Sequence, residues 1–365
     1  MIKVASNNIS VQRNYWFDNA KAFLILCVFI GHISECLIKN VPFENGTPLW
    51  LNSIYKFVYV FHMPVFMIIS GRFAKNRVNR NDWNATINKL IVPYIVIQFF
   101  MMLFYSVTDY ADVTLKGSLK PGYGLWYILV LGIYQIVTPH MLKIFRHKWI
   151  LLPLSLVVMF VYLYVAPYMP PPIPRIINFF PFFIFGYLTA DCEFGLFKKV
   201  PFKLLSVPFF ALLFLFITKD SVIEVALLTT KRVFSEYNDL LGIGQFELFI
   251  ITIVRYLAGF ISFFFVMGIS SEKKNIFTKL GTQSTYIYIL HLFVIIGLIA
   301  FDRQYNILDF CTNEIFAVIM ILLTIPASFI LVSSFVRRCT SWLVAPKFDL
   351  MKIIEKVNFY LKKYS

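Results

Sequence analysis

Charge is scarce in this chain of 365 residues: Asp, Glu, Lys and Arg together make 15% of it, against 59% apolar residues. Soluble globular domains carry about 25% charged and about 45–50% apolar residues, so a water-soluble fold is excluded. Disordered and collagen-like chains fall on the same figures, since they need polarity or a glycine repeat. Acidic residues are scarcer than basic ones, 19 against 34, which gives a net charge of +15. The five cysteines (Cys27, Cys36, Cys192, Cys311 and Cys339) have neither paired nor metal-type spacing. They read as free thiols rather than a disulfide framework or a metal site. A cleavable leader is not expected: Ala22–Ile38 is apolar, but it carries His32 and Glu35, and no small-residue cleavage site follows.

Long hydrophobic runs are abundant. Leu90–Thr108, Pro121–Leu142, Trp149–Pro174, Leu280–Phe301 and Ile315–Val336 are uncharged over 19 to 26 residues. A helix crosses a bilayer in about 20 residues and a barrel strand in about 9–11, so the fold class is all-α, a polytopic transmembrane helical bundle. Reading between charge clusters predicts ten spans, near 17–38, 55–73, 88–108, 124–142, 149–167, 176–190, 203–218, 247–270, 284–301 and 315–336. With the N-terminus inside, 24 of the 34 Lys and Arg fall on the inner side, which sets both termini in the cytoplasm. The transmembrane unit is taken as residues 1–346. Residues 347–365 form a cytoplasmic tail with Leu350, Ile353, Ile354, Val357 and Leu361 at helical spacing among lysines, the pattern of an interfacial amphipathic helix. The basic inner face suits membrane lipids. Because the basic residues adjoin spans rather than a folded domain, nucleic acid is not an expected partner. The loop 219–246, with charges of both signs, reads equally as a cover for an acceptor site or as idle surface.

Ionisable groups inside a bilayer are costly, so each is a functional candidate. On the first span Lys21 and His32 stand eleven residues apart, about three turns and roughly 16 Å along one face. Asp18 and Glu35 fall on the same stripe. The bland alternative has Lys21 snorkelling to the headgroups and His32 bonding a neighbouring helix. The second span holds His62 followed by Pro64, which is expected to open the local hydrogen-bond ladder. It ends in Arg72, with Lys75, Arg77 and Arg80 beyond, donors suited to phosphate. Arg255 lies inside the eighth span, as a structural ion-pair partner or a site residue. His291 lies on the ninth. Arg175 closes the outer segment Tyr168-Met-Pro-Pro-Pro-Ile-Pro, and Trp126 and Tyr127 open the fourth span, as interfacial belt residues or as a surface for a sugar. No metal cluster, phosphate loop or dinucleotide fingerprint is present in the sequence.

Five motifs in order carry a resemblance across the chain: Trp16-Phe-Asp-Asn-Ala-Lys…Gly31-His32, Phe61-His-Met-Pro-Val-Phe-Met-Ile-Ile-Ser-Gly71, Gly124-Leu-Trp-Tyr, Pro181-Phe-Phe-Ile-Phe-Gly186 and Ser284-Thr-Tyr-Ile-Tyr-Ile-Leu-His291. Together they resemble the acyltransferase-3 family of bacterial integral membrane acyltransferases, in particular its polysaccharide and fucose O-acetylase branch. The resemblance implies a multi-pass protein of the bacterial cytoplasmic membrane that moves an acyl group, usually acetyl, from cytoplasmic acyl-CoA to a cell-envelope glycan or lipid-linked sugar. It implies an essential histidine at His32. The family's arginine, separated from that histidine by ten residues, is Lys21 here, which keeps the charge and loses the bidentate fork. Some members add an extracytoplasmic hydrolase-type domain; in this chain the membrane domain is expected to reach the acceptor itself.

These readings combine into an expected O-acetyltransferase. Acetyl-CoA is the donor substrate, with no resident cofactor, and its phosphates lie on Lys21, Arg72 and Arg77. His32, Glu35 and His62 carry the chemistry; an imidazole, with an ordinary pKa near about 6.5, suits a general base or an acyl carrier. Asp18, Trp126, Arg175, Arg255 and His291 are the expected acceptor contacts, and a homo-oligomer is compatible with the sequence. The rival reading is a transporter or flippase of a lipid-linked saccharide, using the same intramembrane charges for passage.

Overall fold

The computed structural model describes residues 15–108, 121–122, 124–165, 169, 172–218, 242, 244–310, 312–346 and 359. In hydrocarbon every backbone N–H and C=O must find its partner within the chain, which leaves an apolar run one open course, the helix. The chain follows it in α1 (Trp16–Asn40), α2 (Leu49–Arg80), α3 (Trp83–Val107), α4 (Trp126–Ile144), α5 (Leu151–Val165), α6 (Ile173–Leu188), α7 (Val200–Thr218), α8 (Gln245–Ile269), α9 (Ser284–Tyr305) and α10 (Glu314–Leu331). Eight of these are long and apolar enough to cross a membrane, and α5 and α6 belong to two shorter apolar helices. Each of the ten spans expected from the sequence falls on one of them.

Two boundaries differ from the expected ones for identifiable reasons. The second span extends beyond 55–73: α2 runs for 32 residues with Pro64 inside it, and its polar ends, from Leu49 and out to Arg80, are helical as well. The tenth span stops at Leu331. The side chain of Ser333 accepts the Val336 N–H at 3.3 Å and starts a separate helix, α11 (Ser334–Val344). With Arg337 and Arg338 between exposed Phe335 and Trp342 on one side and buried Leu343 and Val344 on the other, α11 is amphipathic and packs on α3, α9 and α10. The expected amphipathic tail 347–365 lies outside the described residues, apart from Phe359, as does most of the loop 219–246.

α1 and α2 form the centre. α1 packs on α2, α8, α9 and α10, and α2 also packs on α4, α6 and α7. α2 crosses α6 nearly backbone to backbone: a Cβ on Gly71 would stand 2.0 Å from the Phe183 carbonyl oxygen, and one on Gly186 would stand 1.9 Å from that of Ile68. Small residues at a crossing are what allows helices in lipid to approach so closely. The inner end of α1 is pinned by side chains. Trp16 Nε1 donates to the Met267 carbonyl at 2.7 Å, and Asn19 Nδ2 donates to the carbonyls of Ser271 (2.6 Å) and Lys273 (2.9 Å). The short helical turn Thr278–Thr282 presses on the same place, where a Cβ on Gly281 would meet the Asp18 carbonyl oxygen at 1.6 Å.

Candidate functional site

The α1–α2 packing brings the intramembrane polar groups into one layer. Gly31 leaves room for Tyr59 of α2, whose ring carbon would lie 3.0 Å from a Cβ there. The Tyr59 hydroxyl consequently reaches α1 between His32 and Glu35. It stands 3.0 Å from Glu35 Oε2 and 3.2 Å from His32 Nδ1, and the direct His32 Nδ1–Glu35 Oε2 distance is 3.5 Å. Lys39, one turn on, holds the other carboxylate oxygen at 2.6 Å. An ionised carboxylate only accepts, so the phenol gives its proton to Glu35, and the His32 Nδ1–H is left to donate to the phenol oxygen. In the neutral ring His32 Nε2 then carries the lone pair that a proton acceptor needs.

Two further histidines border the layer. The buried His62 stands with its Nδ1 2.6 Å from the Val58 carbonyl, and its ring lies edge-on to Tyr59 at 5.0 Å. His291 of α9, fully buried, places Nδ1 2.8 Å from the Ile287 carbonyl and its ring 5.3 Å from that of His32. A carbonyl cannot donate, so Nδ1 carries the proton in both, and in the neutral ring Nε2 is an acceptor. His291 Nε2 has no hydrogen-bond partner among the described residues.

Arg175, near the start of α6, lies within electrostatic reach of Tyr288, Tyr59 and Glu35, so the structure adds a cation to the layer from a third direction. Its guanidinium rests on the buried Trp126 ring at 4.7 Å, and Trp126 packs on Phe179 at 4.9 Å. Buried Arg255 lies against the Tyr256 ring at 5.2 Å, and the Tyr256 hydroxyl donates to the Asn178 carbonyl at 2.5 Å.

Below this layer, toward the side the basic residues mark as inner, lies a cavity of about 320 Å³. Lys21, Arg77, Lys89 and Ser284 mark its inner end by chain position, and Met63, Tyr127 and Tyr288 its far end. Tyr127 shares a 2.5 Å hydrogen bond with Ser70, and Tyr288 donates to the Gly124 carbonyl. Tyr288 is also the step from the cavity to the histidines: its ring is 6.1 Å from His291, which is next to His32. Of the expected phosphate contacts, Lys21 and Arg77 line the cavity, Lys21 paired with Asp18 at 2.9 Å and Arg77 donating to Gln135 at 2.8 Å. Arg72 is not among the lining residues. Its fork is spent on the carbonyls of Thr189 (2.7 Å) and Cys192 (2.9 Å), between the rings of Phe17 and Phe194. No group of three or more His, Cys, Asp or Glu suited to a metal occurs among the described residues.

Sequence reasoning missed Tyr59, Tyr288, Ser70 and Lys89. One signal was available for Tyr59: it lies three residues before His62 on α2, and so on the same face of that helix.

These helices, with a layer of imidazole, carboxylate and guanidinium above a cationic inner cavity, define a multi-pass helical membrane protein with a built polar interior. The family model described as "Acyltransferase domain" matches residues 14–333, and the chain belongs to this acyltransferase-3 family. It is similar to nodulation protein NolL of Sinorhizobium fredii (strain NBRC 101917 / NGR234), 25% identical over 190 residues that cover 49% of this chain and 50% of that protein. It is also similar to glucans biosynthesis protein C of Escherichia coli (strain K12), 26% identical over 163 residues, covering 39% of this chain and 42% of that one. The chain thus spans half or less of the length of these curated relatives. No solved structure matches.

Proposed function

We propose that this protein is a membrane O-acyltransferase that moves an acetyl group from acetyl-CoA to a hydroxyl of a cell-envelope glycan or its lipid-linked precursor, in the cytoplasmic membrane of a bacterium. Family membership supports the acyl-transfer chemistry, and the name of one relative, glucans biosynthesis protein C, supports a glycan acceptor. The observation that carries the reading is the sequence of groups from the inner side outward. It runs from Lys21 and Arg77 in the cavity wall, past Tyr288 and His291, to a His32 whose Nδ1 is tied through Tyr59 to Glu35.

The cations take the CoA phosphates, and the pantetheine arm follows the cavity toward Tyr127 and Tyr288. His32 Nε2 removes the proton of the sugar hydroxyl as its oxygen attacks the thioester carbonyl carbon. The C–S bond breaks, the acetyl group stays on the sugar oxygen as an ester, and the departing thiolate takes the proton back from the imidazolium to leave as free CoA. Glu35, ionised beside Lys39 and linked through Tyr59, stabilises the transient positive charge. Arg175, whose charge is felt by Tyr59 and Glu35, holds the acceptor in this reading.

Acetyl-CoA turnover by the detergent-purified protein tests this reading, with CoA release followed by a thiol assay and binding by thermal shift. His32→Ala is expected to lower turnover by about 100-fold or more while acetyl-CoA still binds. Wild-type protein that neither binds nor turns over acetyl-CoA would reject the acyltransferase reading in favour of passage of a lipid-linked saccharide.

A further inference from the structure

The third cation of the inner cavity, Lys89, comes from an irregular piece of helix. Residues Ile87–Ile91 form a π turn within α3, closed by the Val92 N–H bonding to the Ile87 carbonyl. The cause is in the sequence. Pro93 has no N–H to offer the Lys89 carbonyl four residues back, and its ring crowds that carbonyl, so the backbone widens by one residue instead. α4 accommodates the wider turn at Gly132, where a Cβ would meet Ile91 Cδ1 at 2.5 Å and Leu90 Cβ at 3.6 Å. Lys89, Leu90 and Pro93 all face the cavity as a result of this seating. Single π turns inside α-helices are rare and concentrate at functional sites.

The three cavity cations differ in what they already hold. Lys21 is neutralised in part by Asp18 and Arg77 is engaged by Gln135. Lys89 is exposed and has no hydrogen-bond or ion-pair partner among the described residues. An ammonium on a flexible stem is a mobile point charge with three donors, suited to a phosphate oxygen rather than to a planar bidentate partner. Its position beside Lys21 and Arg77 places three positive charges around the inner end of one cavity, with one of them uncommitted.

We propose that Lys89 is a phosphate-binding residue for the acyl donor, held at the cavity by the π turn that Pro93 imposes. This rests on the acetyl-CoA reading above. Bound donor is its missing counter-charge, and its contribution is to affinity rather than to chemistry.

The test is steady-state turnover with acetyl-CoA alongside direct binding of radiolabelled acetyl-CoA, for wild type, Lys89→Gln, Lys89→Arg and Lys143→Gln. Lys143 is an exposed inner-side lysine that does not line the cavity. Lys89→Gln is expected to raise KM and Kd about tenfold, the effect of one lost charge-assisted hydrogen bond, and to leave kcat within twofold. Lys89→Arg should restore most of the affinity, and Lys143→Gln should match wild type. The dependence of binding on salt should also flatten in Lys89→Gln. An unchanged KM in Lys89→Gln, or an equal rise in Lys143→Gln, would overturn the assignment and leave only a general surface charge. Failure of the wild type itself to bind acetyl-CoA would reject the donor reading instead, so the two failures are told apart.

Discussion

The Tyr59 hydroxyl contacts both His32 and Glu35, at 3.2 and 3.0 Å, and Tyr59→Phe removes that single oxygen. Tyr59→Phe keeps the ring that fills the space above Gly31 and deletes the hydroxyl bridge between imidazole and carboxylate, leaving their direct 3.5 Å approach. The expected outcome is a kcat about tenfold lower, as for a lost hydrogen bond to a charged group, with the KM for acetyl-CoA unchanged because the cavity cations are untouched. Glu35→Gln should have a similar effect. The double variant should fall short of the product of the two, since groups in one network do not act independently. A KM that moved with kcat would mean that Tyr59 supports the fold rather than the base. The residues of α1 were legible in the sequence because an ionisable group in an apolar run stands out by its cost. Tyr59 was hidden among 20 tyrosines, and tyrosine is ordinary in spans. Only the closeness of two helices, set by Gly31, gives it a role.

Helices are legible from apolar length, and their crossings are not. All ten apolar runs fall on observed helices, because hydrocarbon leaves the backbone one option. The ends differ where polar residues extend a helix, as in α2, or where a serine cap starts another, as at Ser333. That α2 lies against α6 is a matter of which small residues meet, and no periodicity encodes the partner. The crossing is testable at Gly186, where a methyl group would stand 1.9 Å from a backbone oxygen that cannot give way. Overpacking a tight core costs about 1–3 kcal/mol when side chains can shift. Gly186→Ala is therefore expected to lower the melting temperature in detergent by several degrees or to abolish the folded peak in size-exclusion chromatography. Gly195→Ala, where nothing lies within 4 Å, is the control and should melt with wild type. Equal melting of the two variants would mean that the helices do not approach as closely as described.

The arrangement has a direction, and the proposed reaction depends on it. The cavity cations sit on segments that the basic-residue count puts inside. His32, Glu35 and Arg175 lie toward the opposite ends of α1 and α6. An acyl group taken from a cytoplasmic donor would then reach the histidine layer within the protein, past Tyr288, rather than by release of an activated species into water. The direction of the proposed transfer reverses if the chain is inserted the other way, so its orientation is the prediction with the widest reach. Cysteines already present can report it. Cys192, exposed, follows α6 on the side marked inner, and Cys311 lies in the segment joining α9 to α10 on the side marked outer, at a position outside the described residues. A variant retaining Cys192 alone should react with a membrane-impermeant maleimide in inverted vesicles and stay unmodified in spheroplasts; one retaining Cys311 alone should do the reverse. The opposite pattern would open the cationic cavity to the outside, where acetyl-CoA is not supplied, and the donor reading would fail together with the phosphate role of Lys89.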